Sequence, residues 1–161
     1  MVPDETLELD DVLTMLGAAP ERVRNYVSGL DESRLAYRHG PAFPTLRELV
    51  LHVSETGAAV DAAIRHACLD GAVEVDARAA LEPPVEAHET TTPALEKLED
   101  LHRMRRRTLD LLRGLTPADW DRVISDPALG DLSLLDFCRL VAAHEMGHLS
   151  QVRNLTALLP D

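Results

Sequence analysis

Aromatic residues are scarce in this chain: Phe, Tyr and Trp make up 3% of its 161 residues. A sheet relies on such residues, with β-branched ones, to pack its pleated faces, whereas the alanine and leucine abundant here pack helices through aliphatic surfaces. Cysteine is nearly missing too. Cys68 and Cys138 stand at no metal-type spacing, and in a reducing compartment both are expected to be free, partly buried thiols. Lysine occurs once, as Lys97, against fifteen arginines. No stretch approaches about 18 uninterrupted apolar residues. Met1-Val2-Pro3-Asp4-Glu5 is not a basic segment followed by an apolar run. Neither a membrane span nor a signal peptide is expected, and the expected location is the cytoplasm.

The formal net charge of −12 repels phosphate backbones, so direct nucleic-acid binding is not expected. The local exception, His102-Arg103-Met104-Arg105-Arg106-Arg107, reads as a solvated helix face pairing with neighbours such as Glu99 and Asp110. A chain of 161 residues fits one domain, residues 1–161, able to bury a core without staples.

Four main helices are predicted. The first covers about residues 7–28, with Pro20 at a local break or a restarted first turn. The second covers about 45–69, opening on Thr45 and Glu48 at capping-box spacing and ending before Asp70-Gly71. A polar segment holding Pro83-Pro84 leads to a third, capped by Thr92, begun by Pro93 and running to about Arg113. After Gly114 comes a turn-rich connection with Trp120 and one short helical turn at Thr116-Pro117-Ala118-Asp119. Ser133 caps the fourth helix, which ends near Pro160. Long connections between the first and second and between the second and third helices favour an all-α four-helix bundle with crossover topology over an up-and-down one.

The fourth helix carries His144-Glu145-Met146-Gly147-His148. Two imidazoles four residues apart on a helix point the same way and can grip one metal ion. The string matches the zinc-protease motif H-E-x-x-H, in which the glutamate is the general base. Only thirteen residues follow His148, and the sole carboxylate side chain among them is Asp161. A protease of that type, which takes its third ligand downstream, is therefore not expected.

A third ligand should come from upstream. His52 is best placed, because Leu49, His52, Val53, Thr56, Val60, Ala63, Ile64 and Ala67 recur at spacings of three and four, the stripe a helix turns to a core. An imidazole there is costly unless partnered. His102 in the charged helix is the runner-up. His39 precedes a turn, His66 lies off the stripe and His88 stands in a polar stretch. A single inward histidine is more often a hydrogen-bonded core residue than a ligand, but three from two helices are hard to satisfy without a shared ion. Glu145 reads equally as a base or as an ion-pair partner. Gln151, on the face of His144 and His148, could touch substrate or bridge helices, and Trp120 and Tyr37 could line a pocket or pack the core.

Thr45, Glu48 and His52, followed about ninety residues later by His144, Glu145, His148, Gln151 and Val152, resemble the pattern of the DinB/YfiT-like superfamily. Ala19-Pro20-Glu21 in the first helical region fits its layout; Pro44 stands where the family often has tryptophan. The resemblance implies a bundle with crossover topology and a divalent ion, zinc or nickel, on His52, His144 and His148. It also implies a homodimer and a small-molecule substrate. Members include low-molecular-weight thiol S-transferases of the bacillithiol or mycothiol type, a maleylpyruvate isomerase domain and proteins labelled metal-dependent hydrolases. The contrasting expectation is a non-catalytic metal-binding stress protein.

Overall fold

A computed structural model describes residues 2–70, 74–81 and 93–161, with the side chains of 77 and 78 excepted. Four long helices dominate: α1 (Leu9–Val27), α3 (Leu46–Leu69), α5 (Ala94–Arg113) and α7 (Leu134–Ala157). Between them lie short helices α2 (Glu32–Leu35), α4 (Ala77–Leu81) and α6 (Pro117–Trp120), and strands β1 (Val123–Asp126) and β2 (Gly130–Ser133). No described helix is long and apolar enough to cross a membrane.

Local chemistry sets most boundaries. Thr45 and Glu48 form the capping box: the Glu48 N–H donates to Thr45 Oγ1 at 3.1 Å, and the Thr45 N–H donates to Glu48 Oε2 at 2.9 Å. The Thr45 N–H first, and then the Arg38 guanidinium, hold the Glu48 carboxyl below the usual range. Ser133 starts α7 by accepting the Asp136 N–H at 3.0 Å, and Thr116 starts α6 by accepting the Asp119 N–H at 3.3 Å. Pro93 stands at the N-cap of α5. Thr92, expected to cap it, and Pro83-Pro84 lie outside the described residues.

The β1–β2 hairpin adds strands to what the sequence reads as a turn-rich connection, and departs from the all-α expectation. It pairs Val123 with Ser133 and Ile124 with Leu132, and turns through Gly130 at φ 79°. Asp126 Oδ1 accepts the N–H groups of Ala128 and Leu129, fixing the turn. Wholly buried Ile124 packs into the same apolar cluster as Leu134 and Phe137.

The long helices pack in a ring: α1 against α5 and α7, α3 against α5 and α7. Chain-consecutive α1 and α3 are therefore diagonal to each other, as are α5 and α7. One apolar cluster joins Val12 and Leu16 of α1, Val60 and Ile64 of α3, Leu109 and Leu112 of α5, and Phe137 and Val141 of α7. A second joins Val23 and Val27, Leu49 and Val53, Leu98 and Leu101, and Leu149 and Val152. The order of these residues along each helix makes α1 parallel to α7 and α3 parallel to α5. Parallel neighbours need a long return connection, so the expected crossover topology is present.

Between the two clusters lies a polar layer centred on Arg105. Its Nε donates to Asp61 Oδ1 at 2.8 Å, its Nη1 to Glu145 Oε2 at 2.9 Å and its Nη2 to Glu145 Oε1 at 2.6 Å. Nη1 also donates to the Leu16 carbonyl at 2.9 Å. That carbonyl would take the N–H of residue 20 in an ordinary helix, but Pro20 has none. The expected break at Pro20 is absent: α1 runs through it because Arg105 supplies the missing donor. Arg105 is 2% exposed, which corrects the reading of its arginine run as a wholly solvated face. Of the neighbours expected to pair with that run, Glu99 meets Arg24 and Asp110 meets Arg113.

Two stability outcomes follow. A Cβ at Gly57 would lie 2.6 Å from Leu101 Cδ1 and 3.2 Å from its Cγ. Gly57→Ala gains about 0.5–1 kcal/mol of helix propensity but overpacks the α3–α5 contact by about 1–3 kcal/mol. A lower urea midpoint is expected, and a rise would show that Leu101 yields freely. Arg105→Lys keeps the charge but loses the fork, and should destabilise by about 2–3 kcal/mol. Pro20→Ala, which restores a helical donor to Leu16, should then be more favourable in the Arg105→Lys background than in wild type by about 1 kcal/mol. Equal gains in the two backgrounds would mean the Arg105–Leu16 bond contributes nothing.

Candidate metal centre

His52 comes from the first half of α3, where the capping box fixes the helix phase that turns Leu49 and Val53 into the core. His144 and His148 come from successive turns of α7. The bundle brings all three together. The His144 and His148 ring centroids are 4.3 Å apart at an interplanar angle of 77°, and those of His52 and His148 are 4.9 Å apart at 78°. His148 is the central ring and the buried one, whereas His52 and His144 are half-buried.

The electrostatics favour neutral imidazole at the centre. Burial first, then the neighbouring His144 and His52 rings, push His148 down to about 3 from an ordinary 6.5. A neutral ring offers a lone pair to a metal ion. His148 Nδ1 is buried with no hydrogen-bond partner among the described residues. An unsatisfied buried polar atom costs about 1–3 kcal/mol, and ligation would remove that penalty. Among the described residues no three His, Cys, Asp or Glu side chains already stand as a metal site. The rings lie edge to face, so sharing one ion requires them to turn about their side-chain torsions. The donor set fits a divalent ion with open positions.

The other candidates lie elsewhere. His39 is exposed and packs edge-on against Phe43, with ring centroids 5.1 Å apart. His66 is exposed and pairs with Asp70 at 2.8 Å. His88 lies outside the described residues, and His102 is half-buried on α5. Gln151 is exposed one turn beyond His148, and its side chain makes no hydrogen bond among the described residues, so the interhelical bond is not formed. Trp120 is core, at 5% exposure, while Tyr37 is half-buried. Cys138 is wholly buried and Cys68 half-buried; burial pushes both thiols up, away from reactive thiolate.

Glu145 takes the second of its two expected roles. Arg105 holds both of its oxygens, and the residue is 9% exposed, so it is an interior ion-pair partner and not a free base beside His144. Asp61 and Arg105 were missed by sequence reasoning, yet a signal existed. Leu98, Leu101, Arg105, Thr108 and Leu112 recur at three and four, and Asp61 sits between Val60 and Ile64 on the buried side of α3. A charge inside an apolar stripe implies a partner.

The family profile described as the DinB superfamily matches residues 15–152. Among solved structures, YfiT from Bacillus subtilis, described as a probable metal-dependent hydrolase with an unusual four-helix bundle topology, superposes with a TM-score of 0.74. Its identity is 18%, over 98% of this chain and 92% of that one. TT2238, described as a four-helix bundle protein, superposes with a TM-score of 0.58 at 20% identity, over 90% of this chain and 98% of that one. At these identities the likeness is one of fold. No curated protein matches the sequence.

The polar layer gives a pH dependence. One guanidinium faces two carboxylates, and Asp61, wholly buried with Oδ2 unpartnered among the described residues, is the one placed to take a proton. Burial is the main cause that raises its carboxyl from 3.8 to about 6, against the pull of Arg105. The folded state therefore holds this proton more tightly than the unfolded chain. The resulting stabilisation is full below 3.8 and is lost as pH rises through about 6. Urea midpoints measured across that window should fall in wild type relative to Asp61→Asn; parallel curves would exclude Asp61 as the titrating group.

Proposed function

This chain belongs to the DinB superfamily, and from that premise we propose that it is a metal-dependent enzyme whose divalent ion is held by His52, His144 and His148. The three-ring cluster with its unpartnered His148 Nδ1 carries this reading. The description of YfiT as a probable metal-dependent hydrolase supports metal dependence in general. Imidazole suits zinc and nickel, and three protein ligands leave room for a small molecule, the composition of a catalytic site. When bound, such an ion supplies the acidity that ionises a thiol or a water entering the open position.

Between the two chemistries, transfer of a low-molecular-weight thiol to an electrophile is the better match to the side chains present. Hydrolysis in the H-E-x-x-H manner would use Glu145 as base, and Arg105 occupies both of its oxygens. A thiol of the bacillithiol or mycothiol type needs no such base, because its own sulfur is the nucleophile and its proton can leave to water. His148, held neutral by burial, keeps its lone pair at neutral pH. Gln151, exposed on the histidine face of α7, is free to donate an amide hydrogen bond to the incoming molecule. Hydrolysis is the second reading, favoured by the description of YfiT.

Metal analysis of tag-free protein is expected to give about one ion per chain in wild type and to show its loss in His52→Ala and His144→Ala. Metal kept by His52→Ala but lost from His144→Ala would move the third ligand elsewhere. No binding after reconstitution would return the cluster to core packing. In the cobalt- or nickel-substituted protein, added thiol should change the ligand-field spectrum, and the loaded protein should conjugate thiol to electrophilic test substrates. A spectrum indifferent to thiol, with ester or amide cleavage instead, would transfer the assignment to the hydrolase reading.

A further inference from the structure

A cavity of about 380 Å³ opens between α1 and α7. On α1 it is lined by Arg22, Asn25 and Tyr26, at the three- and four-residue spacing of one helix face. On α7 its floor is Met146 and Leu149, with Ser150 and Arg153 beside them. At about 100° per residue these α7 positions lie roughly half a turn from His144 and His148, so the cavity and the histidine cluster face opposite sides of one helix.

The charge of this cavity is unlike that of the rest of the molecule. The chain holds 28 acidic residues against 16 basic ones, and eight arginines elsewhere take carboxylates, among them Arg24 with Glu99, Arg38 with Glu48, Arg122 with Asp119 and Arg139 with Asp136, whereas Arg34, Arg65, Arg106 and Arg107 take none among the described residues and do not line this cavity. Arg22 and Arg153 make no ion pair and no side-chain hydrogen bond among the described residues. No carboxylate is among the described residues lining the cavity; its polar groups are two guanidinium ions, an amide and two hydroxyls, all able to donate. The volume falls within the range of small-molecule sites, about 300–1,000 Å³.

We propose that this cavity is a binding site for a small amphipathic anion, a carboxylate or phosphate monoester carrying a compact apolar group. The anionic oxygens meet Arg22 and Arg153, whose planar forks match carboxylate and phosphate geometry. Tyr26, Met146 and Leu149 cover the apolar part, and Asn25 and Ser150 supply further donors. The site is independent of any metal at the histidines, and it stands or falls separately from the reaction proposed there.

The test is calorimetric titration of the whole protein at low salt with phenyl phosphate and with benzoate, alongside inorganic phosphate and phenol, each also against His52→Ala. Saturable binding of at least one aromatic anion is expected, tighter than inorganic phosphate and absent with phenol. It should be undiminished in His52→Ala and at least tenfold weaker in Arg22→Gln or Arg153→Gln. Both arginine positions are exposed, and glutamine there leaves the fold intact, which circular dichroism checks. Three outcomes would overturn the proposal: no saturable binding at millimolar anion, equal affinity in the Arg22→Gln/Arg153→Gln double variant, or binding abolished by His52→Ala. A fourth is a dimer seen by light scattering that the double variant dissociates and that phenyl phosphate does not, because the occupant would then be an acidic side chain of a second copy.

Discussion

A single guanidinium ties the four long helices of this bundle together. Arg105 of α5 reaches Asp61 of α3, Glu145 of α7 and the Leu16 carbonyl of α1, all within the 2.6–2.9 Å range of charge-assisted bonds. Apolar side chains could fill the same volume with equal or better stability, since buried ion pairs recover their desolvation only when every partner is in place. What the layer adds is registration. A helix sliding by one turn, about 5.4 Å, loses all of its bonds to Arg105, whereas an aliphatic seam would tolerate the shift.

Registration reaches the histidines through Glu145. It adjoins His144 in sequence, so the fork that holds its carboxylate also fixes the rotation of α7 about its axis. With α7 in that phase His148 is buried against His52, and His144 lies one turn away on the same face. The residue that would be the base in a zinc protease here positions the helix, and the same five-residue string thereby serves a different geometry.

Features decided within one or two turns were legible in the sequence. Thr45 with Glu48, Thr116 with Asp119 and Ser133 with Asp136 announce their helices because cap and partner are three residues apart. His52, His144 and His148 were legible for a related reason: each lies on a periodic face, and periodicity tells direction. Features decided by distant partners were not. Arg105 is one of four arginines in five positions, and only Asp61 and Glu145, 44 and 40 residues away, select which one turns inward. The hairpin escaped because each strand has four residues and little alternation, and Glu74 joins its edge from far up the chain. Pro20 read as a break for the same reason, since its rescuer lies 89 residues from the carbonyl it caps.

The parallel pairing of α1 with α7 also orders events during synthesis. Once α5 has emerged, Arg105 has Asp61 and Leu16 to bind, but until α7 is complete Glu145 is missing and the side of the ring between α1 and α3 is open. His52 emerges long before His144 and His148; at typical elongation rates the interval is on the order of five to twenty seconds. Until then the nascent chain carries one isolated imidazole of this cluster. His144 and His148 appear with the helix that closes the bundle, so assembly of the three-ring cluster and completion of the core fall in the same late step.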